Sequence, residues 1–253
     1  MKKSRLELVE EFLSAKNNEV YDVLGLMNSL EMYFKKYDKR LVPFLKTYSL
    51  VTETVIDRQV SEDYFDDVDS LSDLDIHFAS LYFKPLKKHL KSKKNYKPWR
   101  KYFEYSSRAD RIEFLNMLLG INSHINGDLP VSLYKTGYTK RKDFLRINDL
   151  LKKEISEIMW YLATRKFDLM GLAGVFFREF FVNEFTKIVV KWRDDAWKNS
   201  NKLNSKNFDK KVKEIYEKTE KAAKEMIEIF EELYSLRHLK QIIPRLEKVR
   251  VRV

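Results

Sequence analysis

The chain lacks cysteine altogether and has little glycine or proline: its 253 residues include no Cys, 6 Gly and 5 Pro. The absence of cysteine excludes disulfide scaffolds, thiol nucleophiles, iron–sulfur clusters and Cys-ligated zinc, and it fits a reducing compartment. The scarcity of glycine and proline argues against β-sandwiches, propellers and barrels, because their many tight turns need residues with positive or preset φ. The composition therefore favours long helices.

Long hydrophobic runs are also missing. The longest apolar run, residues 169–177, is too short for a membrane-spanning helix. Near the N-terminus, Glu7, Glu10 and Glu11 interrupt the segment in which a signal peptide requires an unbroken apolar stretch. We therefore expect an N-terminal helix instead of a leader, no membrane span, and a cytoplasmic protein.

Apolar residues recur at helical spacing through most of the chain, and no segment shows the period of two that is typical of a strand. The pattern predicts helices at about 3–16, 19–37, 41–60, 71–83, 99–105, 108–129, 143–163, 167–197 and 207–240, separated by prolines, Gly137 and a polar segment. We expect one all-α domain over residues 1–253, a multi-helix bundle with a long Lys/Glu-rich C-terminal helix.

Basic residues outnumber acidic ones by 49 to 38, which gives a net charge of +11. Every charged residue from Lys84 to Lys101 is basic, and Tyr96, Trp99 and Tyr102 are interleaved with them, as phosphate contact and base stacking would require. No recognised nucleic-acid motif accompanies this segment, and a solvated Lys-rich loop explains it more simply. The sequence therefore favours a small-molecule substrate or ligand over nucleic acid, and it predicts no oligomeric state.

Polar residues in apolar surroundings are the main candidates for chemistry, because no Walker loop, G-x-G-x-x-G, H-E-x-x-H or G-x-S-x-G motif occurs. In the predicted helix 108–129, His124 and Asp128 are four residues apart and share one face. Gly120 lies one turn earlier on that face. Gly127 inside a helix costs about 1 kcal/mol relative to alanine, which indicates a packing or site-related reason.

An imidazole and a carboxylate at this spacing have three possible roles. They can supply two metal ligands, they can form a general-base pair in which Asp128 orients the His124 tautomer, or they can form a buried structural hydrogen bond. The spacing alone favours the structural role, since any long helix can carry such a pair by chance.

A second candidate segment contains Asp75 and His77, which lie at the border of an apolar helical stripe. The pattern Ser72-x-x-Asp75 resembles a capping box, so helix capping is the simpler role for Asp75. If either residue met the His–Asp pair across the bundle, the set would suit one zinc, iron or manganese ion.

Lesser candidates have simpler explanations. Asp143 is predicted to be a helix cap or a first-turn anion that complements the helix dipole. Asn148 and Arg193 are further polar candidates. The two remaining histidines, His89 and His238, are predicted to lie at the surface because basic residues are their neighbours.

Several motifs together resemble a known family. They are Val51-Thr-Glu-Thr-Val55, Leu74-Asp-Ile-His-Phe-Ala-Ser-Leu-Tyr82, Pro98-Trp99 with Phe103, Leu119-Gly-Ile-Asn-Ser-His-Ile-Asn-Gly-Asp-Leu129, Ile147-Asn148 and Arg193-x-x-Ala-Trp197. Their succession over about residues 45–200 resembles the domain of unknown function 5995. The resemblance implies an all-helical fold and draws attention to Asp75, His124, Asn126 and Asp128 as polar motif positions, but it implies no activity.

A more distant similarity is to the helical zinc-dependent phospholipase C and P1-nuclease superfamily, whose sites use His and Asp on helices. This chain has only four histidines and no N-terminal Trp to provide a backbone ligand. The similarity therefore implies a single-metal or metal-free site and not a three-zinc site.

The enzyme hypothesis is a metal-dependent hydrolase of phosphoester or lipid-like substrates. Its predicted catalytic residues are His124, Asp128, Asp75 and Asn126, and one divalent ion would be held by His124, Asp128 and His77. The alternatives are a non-catalytic helical protein that binds a small apolar or anionic ligand, and a structural or interaction protein with a buried His–Asp pair.

Overall fold

The computed structural model describes residues 3–61, 64–92, 96–163 and 174–250, and of 153, 156–163, 174–181 and 233–250 it describes only the backbone. Within these ranges the chain is helical and has no strand, so the predicted all-α bundle is confirmed. The helices are α1 (Arg5–Ser14), α2 (Val20–Tyr37), α3 (Val42–Gln59), α4 (Val68–Ser92), α5 (Arg100–Ser106), α6 (Glu113–Asn122), α7 (Leu129–Thr136), α8 (Arg141–Ala163), α9 (Gly174–Ser200) and α10 (Phe208–Arg250). None of the helices in these ranges is long and apolar enough to cross a membrane.

The predicted helix 108–129 is in fact part of a longer helical segment with a change of winding. A π-helical turn, Ser123–Asp128, joins α6 to α7 without a break, and we call it the π-turn. Pro130 does not end this segment, because it lies in the first turn of α7, where its missing N–H removes no helical hydrogen bond. The segment ends at Gly137, whose φ of 67° provides a left-handed cap.

The π-turn and α3 lie at the centre of the packing. The π-turn packs against α4, α9 and α10, whereas α3 packs against α2, α6 and α8. Fully buried aromatic rings fill the space between these helices, among them Phe44, Tyr82 and Trp99. Their ring centroids are 4.9 to 5.2 Å apart, and each such pair adds about 0.5–1.5 kcal/mol beyond area burial. The π-turn is therefore held against a well-packed aromatic wall.

The start of α4 differs from the predicted one, 71–83, because other residues cap it. Asp67, directly before the helix, accepts hydrogen bonds from the backbone N–H and the hydroxyl of Ser70 at 3.0 and 2.9 Å. Asp143 of α8 accepts the backbone N–H groups of Asp66 and Asp67 at 2.9 and 3.0 Å. The capping role predicted for Asp75 is wrong, because Asp75 lies about two turns inside the helix.

Candidate functional site

Two predicted site residues, His124 and Asp128, meet in the π-turn. His124 Nδ1 lies 3.1 Å from Asp128 Oδ2, and the indole N–H of Trp99 donates to the same oxygen at 2.9 Å. Both members of the pair are buried, with 3% and 1% of their surface exposed. π-helical turns occur frequently at functional sites, because the extra residue re-aims the side chains of the turn.

Two glycines make the close packing around this pair possible. A Cβ atom on Gly127 would lie 2.5 Å from Pro98 Cγ, and one on Gly120 would lie 2.5 Å from Phe44 Cγ. Of the two reasons expected for Gly127, packing or a functional site, the structure shows a packing reason. Phe44 also contacts His124 edge-on, with a centroid distance of 5.8 Å, so the absence of a side chain at Gly120 lets the aromatic wall reach the imidazole.

The imidazole of His124 is enclosed by aromatic rings. It stacks on Phe78 with a centroid distance of 3.5 Å and an angle of 5°, and Tyr48 approaches it edge-on at 4.5 Å. Its Nε2 atom is buried and has no hydrogen-bond partner among the described residues. Such a group costs about 1–3 kcal/mol, and native structures rarely keep one without a reason.

The protonation of the pair follows from its surroundings. Burial lowers the pKa of His124 well below its usual value and raises the pKa of Asp128 well above its own, an effect that the Trp99 hydrogen bond only partly opposes. Both shifts favour neutral groups. A neutral pair has two tautomers. When Asp128 donates its proton to His124 Nδ1, the imidazole proton is on Nε2, which is then a hydrogen-bond donor. When Nδ1 carries the imidazole proton and donates it to Asp128 Oδ2, Nε2 is an acceptor.

His124 lines an apolar cavity of about 80 Å³ between α3, α8 and α9, which we call the inner cavity. A second cavity of about 50 Å³, the Asp75 cavity, adjoins it. Four residues line both cavities: Tyr48, Val51, Phe78 and Arg193. The predicted site residue Asp75 therefore lines a cavity that shares part of its wall with the cavity lined by His124.

The Asp75 cavity contains one acidic and one basic side chain, Asp75 and Arg193, in mainly apolar surroundings. Burial raises the pKa of Asp75 to about 7, although the positive charge of Arg193 opposes the shift. Burial lowers the pKa of Arg193 to about 10, and Asp75 opposes that shift in turn. Arg193 is held in place because its Nε–H donates to Asn148 Oδ1 at 2.7 Å and its guanidinium lies 4.4 Å from the Phe144 ring centroid. Asp75 can thus change its charge near neutral pH beside a fixed cation.

The other two predicted site residues lie elsewhere. Asn126, on the same π-turn, donates its amide N–H to Asn122 Oδ1 at 2.9 Å and lines a third cavity between the π-turn, α9 and α10. His77 is half-buried, with Nδ1 2.7 Å from Ser132 Oγ, and burial lowers its pKa. Neither residue lines the two cavities beside His124.

No group of three or more His, Asp or Glu residues suited to a metal ion occurs among the described residues. The metal site composed of His124, Asp128 and His77 stays a prediction. The surface position predicted for His89 is wrong, because this residue is 4% exposed and its ring stacks on Phe103 at 4.3 Å. The side chain of His238 lies outside the described residues.

Sequence reasoning missed two residues of the site. Trp99 was noted only as an aromatic residue of the basic segment and as part of a family motif, and Tyr48 had no signal beyond its position on a helix. Both contact the His124–Asp128 pair from distant segments of the chain, which a spacing argument within one helix cannot reach.

Comparison with known protein families and structures identifies a family for the chain but no activity. No curated protein and no solved structure matches it, so the distant similarity to the phospholipase C and P1-nuclease superfamily receives no support. A family model described as "Family of unknown function (DUF5995)" matches residues 20–232, a wider region than the motifs had covered. The match confirms the resemblance drawn from those motifs, and the chain belongs to the DUF5995 family.

Proposed function

We propose that this protein binds a small, mainly apolar molecule that carries an oxygen acceptor. One observation carries the proposal: His124 lines an apolar cavity, and its Nε2 is buried without a hydrogen-bond partner among the described residues. In the tautomer with the imidazole proton on Nε2, this N–H would donate a hydrogen bond to a ligand oxygen, which would remove the cost of the unsatisfied donor. Ligand sites generally have this character, with apolar walls and a few placed polar groups.

The size of the cavities limits the ligand. The inner cavity and the Asp75 cavity measure about 80 and 50 Å³. An apolar protein cavity of about 150 Å³ holds benzene, so the two cavities together suit a molecule of about six heavy atoms. A shift of the half-buried Tyr48 ring would join them, since this residue lines both.

The polar groups set the chemistry of the ligand. In the tautomer with its imidazole proton on Nε2, the neutral His124–Asp128 pair offers one donor, which suits a carbonyl, ether or hydroxyl oxygen. Asp75, with its pKa of about 7, can donate to or accept from a second polar atom, depending on pH. The remaining contacts are apolar, and burial of ligand surface against them would supply most of the affinity.

Cyclopentanone and methylenecyclopentane are suitable probes, because they differ only in the exchange of the oxygen for a CH₂ group. We expect cyclopentanone to bind more tightly in a calorimetric or NMR titration. His124→Phe keeps an aromatic ring on Phe78 but has no Nε2, and it should abolish the preference. Val51→Phe should block both ligands by filling the cavities, whereas Ile229→Phe, at an exposed position of α10, should change neither.

Two results would contradict the proposal. One is equal binding of the ketone and the hydrocarbon by the parent protein. The other is undiminished binding by Val51→Phe, which would place the ligand outside these cavities.

A metal-dependent hydrolase remains the alternative, and it needs a third ligand that the described residues do not supply beside His124 and Asp128. Elemental mass spectrometry of the purified protein and of His124→Ala tests it. Near-stoichiometric zinc, iron or manganese that disappears in the variant would favour the hydrolase. No metal in either protein would favour the binding function.

A further inference from the structure

The third cavity has a different character from the two beside His124. It measures about 360 Å³ and lies between the π-turn, the C-terminal end of α9 and the N-terminal half of α10, and we call it the α9–α10 cavity. Its volume falls within the range of about 300–1,000 Å³ that is typical of small-molecule sites. Most of its lining residues are polar or charged, so its ligand would differ from that of the inner cavity.

A pair of amides forms part of this lining. Asn122 is fully buried, and its Nδ2 donates to the backbone carbonyl of Thr219 at 3.0 Å. Its Oδ1 accepts from Asn126 Nδ2, which fixes the half-buried Asn126 in the wall of the cavity. Because an amide has two N–H groups and a carbonyl oxygen, Asn126 retains one donor and one acceptor for a ligand.

The charges around the cavity favour an anion. Two of the three lysines in the lining, Lys202 and Lys218, form no ion pair with a described residue. The third, Lys211, donates to Glu214 at 2.7 Å and helps to hold the pKa of that carboxylate below its usual value. Asp195, which is part of the lining, has its carboxylate 3.6 Å from Nζ of Lys198, which is not. The lining and the adjacent Lys198 together carry four positive charges against the two negative charges of Asp195 and Glu214, so positive charge is in excess.

The cavity also has an apolar side. Trp192 is half-buried in its wall, and Leu203 and Ile215 extend the apolar surface. An aromatic wall beside cations and an amide suits a flat ring, because a ring can stack on the indole while its edge pairs with the amide. Asparagine pairs in this way with the donor and acceptor of an adenine edge.

We propose that the α9–α10 cavity binds a small organic anion with a flat, hydrogen-bonding ring, the chemistry of a nucleoside monophosphate. Lys202 and Lys218 bind the phosphate, Trp192 contacts the ring, and Asn126 pairs with the ring edge. This site is separate from the inner cavity, and it does not depend on the function proposed above.

Calorimetric titration of the full chain with AMP, GMP, CMP and UMP at low salt tests the proposal, with adenosine and inorganic phosphate as partial ligands. We expect at least one monophosphate to bind more tightly than either partial ligand. The double variant Lys202→Glu/Lys218→Glu should weaken that binding by about tenfold or more. All four substituted positions in this variant and its control are exposed, so the fold should be retained, which circular dichroism can verify.

The matched control is Lys221→Glu/Lys224→Glu, which makes the same change in net charge on α10. These lysines are paired with Glu225 and Glu228 and do not line the cavity. The control should bind the monophosphate much as the parent does. Asn126→Leu should weaken monophosphate binding while phosphate binding stays unchanged.

Three results would overturn the proposal. The first is no binding of any of the four monophosphates by the parent. The second is an equal loss of affinity in the two double variants, which would indicate a nonspecific charge effect. The third is binding of inorganic phosphate as tight as that of the monophosphates, which would show that no ring is recognised.

Discussion

Trp99 donates its indole N–H to Asp128 Oδ2 at 2.9 Å, across 29 positions of the chain. The same oxygen faces His124 Nδ1, so the carboxyl group is fixed from two sides. Such support keeps the imidazole in one orientation, with its unpartnered nitrogen fixed before any ligand arrives. The site therefore consists of three side chains and not of the two predicted from helical spacing.

Trp99→Phe tests this support, because phenylalanine keeps an aromatic ring and removes the N–H donor. We expect the free energy of unfolding to fall by about 2 kcal/mol, of which about 1 is the lost hydrogen bond and the rest the lost ring volume. Urea denaturation followed by circular dichroism measures the change. Trp197→Phe is the control, because Trp197 is only half-buried and packs on Phe144. A loss no larger than that of the control would show that the Trp99 hydrogen bond contributes nothing.

Replacing glycine by alanine should lower the free energy of unfolding at two positions of the chain and raise it at a third. Gly120→Ala and Gly127→Ala should each lower the free energy of unfolding by about 1–3 kcal/mol, because the new methyl groups would overlap Phe44 and Pro98. Gly25→Ala in α2 should raise it by about 0.5–1 kcal/mol, since a Cβ there meets no atom within 4 Å and alanine favours the helix. Denaturation curves of the three variants give the comparison. A Gly127→Ala variant as stable as the parent would contradict the close contact between Gly127 and Pro98.

Helical periodicity was sufficient to predict the fold class and most of the helices, because apolar residues must face a common core in any amphipathic helix. It failed where the backbone departs from regular winding or where capping comes from another helix. The π-turn has no signature in an apolar pattern of period 3.6. The start of α4 depends on Asp143, which is more than 70 residues away in sequence and which no local rule connects to Asp66.

The candidate site could be predicted only in part for the same reason. The four-residue spacing of His124 and Asp128 was enough to place them side by side. Whether Asp75 or His77 approached them depended on how α4 packs, and the structure brings Asp75 near and directs His77 to Ser132. The apolar cavity itself arises between three helices, so it could not be predicted from any one of them.

The titration of Asp75 predicts a specific dependence of stability on pH. Its pKa is about 7 in the folded state, above the usual carboxyl value, so the folded protein holds this proton more tightly than the unfolded chain. This group's contribution to the free energy of unfolding should therefore be fully present below about pH 4 and be lost as the pH rises to about 7. The slope for one proton is at most about 1.4 kcal/mol per pH unit.

Unfolding measured from pH 4 to 8 for the parent and Asp75→Asn isolates this group, because the other titrations cancel in the difference. The parent should lose stability relative to the variant as the pH rises through the folded pKa of about 7, and the difference should level off toward pH 8. The plot of unfolding free energy against pH for Asp73→Asn, at an exposed position of the same helix, should be parallel to that of the parent. Parallel curves for Asp75→Asn would mean that Asp75 has an ordinary pKa.

Asp143 connects α8 to the start of α4, and its replacement should destabilise both. Its fully buried carboxylate accepts the backbone N–H groups of Asp66 and Asp67 and pairs with Arg146 at 2.7 Å. Asp143→Ala leaves those donors without their acceptor, so we expect a loss of about 2–4 kcal/mol in the free energy of unfolding.

Amide hydrogen exchange provides a second, local readout of the same substitution. The N–H groups of Asp66 and Asp67 should exchange faster in Asp143→Ala, because the hydrogen bonds that protect them are gone. Asp149→Ala is the matched control on α8, since Asp149 is exposed and, among the described side chains, its ion pair is with Lys152. That variant should change stability by no more than about 0.5 kcal/mol. Unchanged exchange at both amides in Asp143→Ala would show that α4 begins without help from α8, and its start would then depend on Asp67 and Ser70 alone.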